Sequence, residues 1–250
     1  MLTVIIKTNN NEDTISEVLE STKNLGEIFV IDEHSSDDTI PISQEYKAHV
    51  IYSSVLDFSS AFNQVLSETK NDWILLIEGD EIIPDSLGKN ILKYIENPKK
   101  NKNAIFIPSK FFYLNKEIKA ARKKELRLFK KDTAEFINNY SIDLVPKKTK
   151  KYILNSDFKN NKNCILKFEK RDIFAVFQNK INKIVIKSKK QEKMKSSVFI
   201  KPFLGFIYTY LLKGGLLDGK EGFIYSFNKA VEIFIFECSI FEKGIKNEKY

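Results

Sequence analysis

Three carboxylates fall within four residues at Glu78-Gly79-Asp80-Glu81, directly after the apolar run Trp73 to Ile77. Hard divalent cations take oxygen ligands, and Mg²⁺ commonly combines one or two carboxylates with substrate phosphates. Gly79 lets a backbone or ligand approach closely. A solvated acidic turn has the same composition, so the motif alone leaves both roles open. A second acidic stretch begins at Asp32, which ends the run Ile28 to Ile31 and precedes Glu33-His34-Ser35-Ser36-Asp37-Asp38-Thr39. A carboxylate here can accept hydrogen bonds from a base or ribose, while Ser36 or Asp37 can cap the next helix. His34 and His49 are the chain's two histidines, and no Ser/His/Asp constellation can be built on them. His34 reads as an exposed loop residue within reach of a phosphate, and His49 as a strand start. Neither a Gly-x-x-x-x-Gly-Lys loop nor a Gly-x-Gly-x-x-Gly turn follows the first strand, which excludes the Walker and dinucleotide types of phosphate loop.

The elements that must carry these residues alternate in type. Short β-branched or apolar runs at 2–6, 27–31, 48–52, 72–77 and 103–108 predict strands. Helical spacing over 12–23, 38–47, 59–68 and 84–95 predicts helices between them. Such alternation implies βαβ units and an α/β fold, a mostly parallel sheet with helices on both faces. Ligands in such sheets bind beyond the carboxyl ends of the strands. That rule selects Thr8 to Asn11, Asp32 to Ser36, Ser53 to Asn63 and Glu78 to Glu81. Residues 99–160 read as strands and loops broken by lysine clusters. From about 164 the pattern turns helical, with a basic stretch at 187–195, an aromatic one at 198–212 and a last helix over 223–242. The expected division is therefore an α/β domain over 1–160 and a helical C-terminal region over 161–250.

The 250 residues are 42% hydrophobic, enough for a substantial core, and carry a formal net charge of +8. Such a balance favours phosphate-bearing partners without choosing among them. The lysines are scattered rather than gathered with aromatics on one face, which argues against nucleic acid. Cys164 and Cys238 lack a CxxC spacing, so no zinc site or disulfide framework is expected. Nothing reads as a signal peptide or an apolar run of spanning length, and a cytoplasmic protein is expected.

With these residues assembled, the chain resembles the family 2 glycosyltransferases of the GT-A fold, and more narrowly the lipopolysaccharide-core β-glucosyltransferase branch. Leu2 to Thr14 is similar to the family's first strand and Thr-Lys-Asn-Glu loop, with Lys7 and Thr8 in exchanged order. Ile28 to Thr39 resembles Val-Asp-Ser-Gly-Ser-x-Asp-x-Thr. Asp72 to Glu81 resembles Asp-Trp-(apolar)-Asp-Ala-Asp-Glu, with Glu78 for the first Asp of the triplet. Glu125 to Phe136 resembles the Arg-Leu-Phe-(basic) stretch. Lys201-Pro202-Phe203 through Gly222-Phe223 resembles the branch's tail, Lys-Pro-x-x-x-Phe … Gly-x-x-Asp-Gly-x-x-Gly. Two positions depart further. Phe62 stands where the branch has a basic donor contact, and Ser141-Ile142-Asp143 stands where it has Val-His-Glu.

The resemblance implies an inverting transfer of a glucose-like hexose from a nucleotide-diphosphate sugar, a UDP-sugar above others. The acceptor implied is a lipid-linked or lipid A-core saccharide, or another bacterial cell-surface glycan. Asp80 would ligate a divalent Mg²⁺ or Mn²⁺. Thr8, Asn10, Asp32, Ser36, Asn63, Glu78 and Arg127 would line the donor site. Asp143, or failing that Glu81, would be the general base. The basic and aromatic C-terminal stretches suit a peripheral place on the anionic inner-membrane surface, or equally the packing of tail helices. A glycosyltransferase fold that has lost catalysis and serves as a binding scaffold is the alternative, favoured by the departures at Phe62, Glu78 and Ile142. A nucleotidyltransferase would need a Gly-rich, Arg/Lys-containing phosphate loop after the first strand, and the sequence has none there.

Overall fold

The computed structural model describes residues 1–54, 57–100, 102–136, 144–146, 151–153, 163–169, 181, 184 and 197–248. The chain divides into two compact units, one formed by 1–112 with 122–169 and the other by 113–121 with 170–250.

The first unit is built on one large mixed sheet. Its parallel half runs in the order β3 (His49–Tyr52), β2 (Glu27–Asp32), β1 (Leu2–Thr8), β4 (Trp73–Glu78). The helices α1 (Glu12–Thr22), α2 (Thr39–Glu45), α3 (Phe58–Glu68) and α4 (Asp85–Glu96) alternate with these strands, within a few residues of the sequence boundaries. The strands are apolar on both faces because both are covered. Val4, Ile6, Val30, Leu75 and Ile77 point to one side and pack with Ile15, Val18 and Leu19 of α1 and Leu87 and Ile91 of α4. Their neighbours Ile5, Phe29, Ile31, Ile74 and Leu76 point to the other and pack with Phe58, Phe62 and Val65 of α3. This period of two, applied to strands of nearly unbroken hydrophobicity, is what fixes the sheet between two helical layers.

Beyond β4 the sheet turns antiparallel. The fifth expected strand is longer than its apolar core, running as β6 (Ala104–Tyr113). It pairs not with β4 but with β8 (Lys123–Lys130), which lies between them. A short strand β5 (Glu81–Ile82) follows the acidic turn and pairs antiparallel with β12 (Ile165–Glu169). This corrects the sequence reading at one point. Residues from 164 were expected to be helical, yet Ile165–Glu169 is a strand of the first unit's sheet. Its backbone groups are satisfied by β5 and β6, and that long-range pairing overrides the local pattern.

The second unit is helical: α5 (Ile200–Ile207), a π-type turn Tyr208–Leu212, a 3-10 turn Gly215–Asp218 and α6 (Gly219–Glu248). Its Gly-Gly-x-x-Asp-Gly-x-x-Gly segment is a packing device. A Cβ on Gly222 would lie 2.0 Å from the Gly215 carbonyl oxygen, so the turn and α6 meet backbone to backbone. The buried Asp218 accepts a hydrogen bond from the Ala120 amide at 3.0 Å, and Lys116 pairs with Glu221 at 2.7 Å. Many large apolar side chains of this unit are exposed, among them Phe199, Phe203, Leu212, Leu217 and Phe227. Among the described residues no helix is long and apolar enough to cross a membrane.

Candidate active site

The carboxyl ends of β1, β2 and β4 lie side by side, and each brings a loop. The first two loops are stitched together. Asp32 is fully buried; its Oδ1 accepts from Thr8 Oγ1 at 2.9 Å and from Ser35 Oγ, and its Oδ2 accepts from the Ser35 amide at 2.8 Å. Asn10 donates its amide to Ser35 Oγ at 2.8 Å, and its Oδ1 accepts from the Ser36 amide at 2.8 Å. Asp37 accepts from the Glu12 amide at the start of α1, and Glu12 accepts from the Asp38 amide in return. Asp37 also accepts from the Thr39 amide and hydroxyl at the start of α2, but the N-cap position falls on Asp38, whose side chain makes no capping bond, and not on Ser36 or Asp37 as expected. His34 is exposed with φ +57°, a left-handed conformation at the place where the related motif has glycine. Asn10 shares that conformation at φ +52°.

The β4 loop is held against this pair. The Gly79 amide donates to the Lys7 carbonyl at 2.9 Å, and Thr14 Oγ1 donates to the Gly79 carbonyl at 2.6 Å. A Cβ on Gly79 would stand 2.9 Å from the Asn11 side chain, so glycine is what lets the two loops touch. Thr8, Asn10, Asp32, Ser36 and Glu78 are thus brought to one edge of the sheet. Asn63 is exposed on α3 and takes part in neither hydrogen-bond network. Its neighbour Phe62 is buried among Phe58 and Phe129, with ring centroids 6.2 and 6.3 Å away. Phe62 therefore belongs to the core rather than replacing a donor contact.

Electrostatics concentrate at the acidic turn. Arg127, on β8 and almost fully buried, reaches Glu81 at 2.8 Å, Glu125 at 2.9 Å and Glu78 at 3.5 Å, and donates to the Leu76 carbonyl at 3.4 Å. A guanidinium so committed to carboxylates organises the turn instead of facing a phosphate. Glu81 is 1% exposed; one oxygen pairs with Arg127 and the other accepts from the Glu78 amide at 2.9 Å. It has no open edge toward an acceptor hydroxyl and acts as a positioning residue. Burial pushes its pKa up to about 7, against the pull of Arg127 and Lys167. Asp80 is likewise raised by burial, which Lys167 only partly offsets. Burial acts on Glu78 in the same sense, but Lys167 and Arg127 overcome it and hold this carboxyl below its usual range.

Lys167 is the charged residue of this turn that sequence reasoning missed. It lies on β12 directly opposite Glu81, and its Nζ stands 3.0 Å from Glu78 Oε2, 3.1 Å from Asp80 Oδ1 and 4.0 Å from Glu81 Oε1. Burial works against the ammonium, yet Asp80, Glu78 and Glu81 together raise its pKa, so it is charged. Glu78 and Asp80 are hard oxygen donors of the kind Mg²⁺ and Mn²⁺ take. As arranged, however, they do not fit a divalent ion, because the ammonium already stands between them. Among the described residues no group of three or more His, Cys, Asp or Glu is placed to hold a metal. Asp143 lies outside the described residues. A surface pocket lined by Leu2, Leu25, Gly26 and Asn71 opens at the opposite, amino end of the strands, away from all these carboxylates.

The fold and these loops define a doubly wound α/β protein whose charged side chains gather where such sheets bind ligands. The sequence model of glycosyl transferase family 2 matches residues 3–149, more than half of the chain, and the chain belongs to that family. It is 33% identical over 91 residues to an uncharacterized glycosyltransferase of Rickettsia typhi, covering 36% of this chain and 31% of the relative. A counterpart from Rickettsia bellii is 28% identical over 143 residues, covering 55% and 48%. The chain thus spans about a third to a half of the length of the curated relatives it matches. Glucosyl-3-phosphoglycerate synthase from Mycobacterium tuberculosis, solved with Mn²⁺ and UDP-glucose, is similar over 45% of this chain and 43% of that one. The identity there is 25% and the TM-score 0.36.

Proposed function

We propose that the chain transfers a hexose from a nucleoside-diphosphate sugar to an acceptor hydroxyl at the carboxyl edge of β1, β2 and β4. The observation that carries this reading is the packing of both acidic loops on the β1 loop between them. Thr8 and Asn10 bond to the Asp32 loop, while Asn11 and Thr14 meet Gly79 of the Glu78–Glu81 turn, so a carboxylate suited to a base or ribose lies near charged groups suited to a diphosphate. Family membership supplies the reaction class. Asp32, bonded through both oxygens to Thr8 and Ser35, fixes the shape of the loop that meets the nucleoside. Asp80 and Lys167 face the diphosphate end, and Arg127 with Glu81 keeps that end in place. In an inverting transfer a carboxylate takes the acceptor hydroxyl's proton. The oxygen then bonds to the anomeric carbon as the bond to the diphosphate breaks, and the electron pair leaves with the nucleoside diphosphate. Asp143 is the carboxylate that the resemblance assigns to that step. A bacterial cell-surface saccharide of the lipopolysaccharide-core type, lipid-linked, is the acceptor class. The exposed aromatic and aliphatic side chains of α5 and its following turns suit docking on an anionic membrane surface.

A donor-binding protein without catalysis is the second reading, favoured by Ser141-Ile142-Asp143, which stands where the resemblance expects Val-His-Glu, and by Glu78 in place of the usual Asp. Isothermal titration with UDP-, GDP-, ADP- and dTDP-sugars, followed by assay of nucleoside diphosphate release, separates the two. The expected result is binding of one nucleotide class with slow release that falls at least about 100-fold in Asp80→Asn. Binding without release supports the second reading. A folded protein that binds none of the four overturns both.

A further inference from the structure

We propose that Lys167 is the resident cation of the donor site, a tethered ammonium standing between Glu78 and Asp80 in place of a divalent ion, so that the chain binds nucleoside diphosphate without metal. The inference rests on the reading of this edge as a donor site. Its physical basis is the geometry of β12. Leu166 and Lys167 pair with Ile82 and Glu81, and the Phe168 amide donates to the Asp80 carbonyl at 2.9 Å. Cys164 and Ile165 are fully buried, and Phe168 stacks on Phe112 with centroids 4.9 Å apart. The strand that carries the lysine is therefore bonded to the very turn whose charge the lysine balances.

The place of the ammonium, and not the charge balance, is what excludes a second cation, since four carboxylates face two cationic side chains. Glu78, Asp80 and Glu81 face Arg127 and Lys167, and Arg127 is shared with Glu125. A divalent ion bonded to Asp80 at about 2.1 Å would stand within about 5 Å of the ammonium. The two cations exclude each other unless the lysine swings away. An ammonium has three donors. Two distances here are those of ion pairs, and the side chain is 24% exposed. The group can thus meet a phosphate oxygen while still bound to the turn.

Two measurements on the full chain test this. In Mn²⁺ titrations followed by electron paramagnetic resonance, the wild type should leave Mn²⁺ free and Lys167→Gln should bind it. A wild type that binds Mn²⁺ overturns the proposal, and so does a folded Lys167→Gln that does not. In calorimetry with UDP, the wild type should bind equally with EDTA and with Mn²⁺. Lys167→Gln should lose at least about tenfold in EDTA and regain affinity with Mn²⁺, whereas Lys167→Arg should keep EDTA binding. Strict dependence on Mn²⁺ in the wild type overturns the proposal, a readout that needs no variant to fold. Absence of binding to UDP and to the other nucleoside diphosphates under both conditions defeats the donor-site reading instead. The Mn²⁺ titration then still decides the place of Lys167.

Discussion

The β2 loop and the β4 loop are both acidic, both lie at strand carboxyl ends, and both pack on the β1 loop between them, yet they hold their carboxylates by different means. Asp32 and Asp37 are met by hydroxyls and backbone amides of the neighbouring loops. Lys7, beside this loop on β1, pairs with Glu33 at 2.7 Å. Glu78, Asp80 and Glu81 are met chiefly by two long cationic side chains that come from other strands. Amide and hydroxyl donors lie where the local backbone puts them, so the first loop is a rigid template shaped by its own sequence. Buried charge pairs depend on partners from far along the chain, and removing one partner leaves an uncompensated charge. The first arrangement suits recognition of a nucleoside's shape. The second suits a diphosphate, whose charge changes during transfer.

Three perturbations would break or sharpen that contrast. The largest effect is expected from Arg127→Met, which leaves Glu81 and Glu78 short of a partner in a buried setting and should cost about 3–5 kcal/mol. Thermal unfolding should then fall by roughly 10 °C or more. A loss no greater than that of a surface substitution would mean the β4 loop is held by its backbone after all.

The second perturbation is pH. Burial raises Glu81 to about 7 from an ordinary 4.5, so between those values the folded state binds more protons than the unfolded one. Stability contributed by this group is therefore present below about pH 4.5 and lost as pH rises toward 7, by roughly 1–3 kcal/mol. Denaturant titrations at pH 5 and pH 7.5 should show that decline, and Glu81→Gln should flatten it. Equal slopes in both proteins would remove Glu81 as the source.

The smallest effect belongs to the β2 loop. His34→Gly releases a left-handed backbone at φ +57° and should stabilise by about 0.5–1 kcal/mol, despite glycine's entropy in the unfolded chain. Calorimetry showing a lower Tm would mean that the imidazole makes a contact worth more than the strain.

The parallel half of the sheet and its helices were legible because runs such as Val4-Ile5-Ile6 and Ile74-Leu75-Leu76 are buried on both faces and cannot read as anything but inner strands. The acidic residues were legible because the carboxyl-end rule needs only strand boundaries. Arg127 was found by motif, but its role was not. Whether a guanidinium faces phosphate or carboxylate depends on Glu81 and Glu125, and a motif does not show that geometry. Lys167 was missed for a related reason. Its partners are nearly ninety residues away, and Ile165-Leu166-Lys167-Phe168 is too short to separate strand from helix by period. One signal was present: a single lysine inside an apolar run, which needs an acidic partner if the run is buried. Phe62 shows the converse error. A substitution relative to a motif looks like lost chemistry until the core it fills is seen.

Strand β12 also carries a consequence for the order of synthesis. The family match ends at residue 149, and Arg127 lies within it, but Lys167 does not. A nascent chain released only to that point holds three clustered carboxylates and half of their counter-charge, with the Asp80 carbonyl still lacking the Phe168 amide. Of the described strands, the last to emerge is the one that completes the turn. The family-matched segment expressed alone should therefore be a poorer folder than its alternating pattern suggests, and extending it through Glu169 should rescue it.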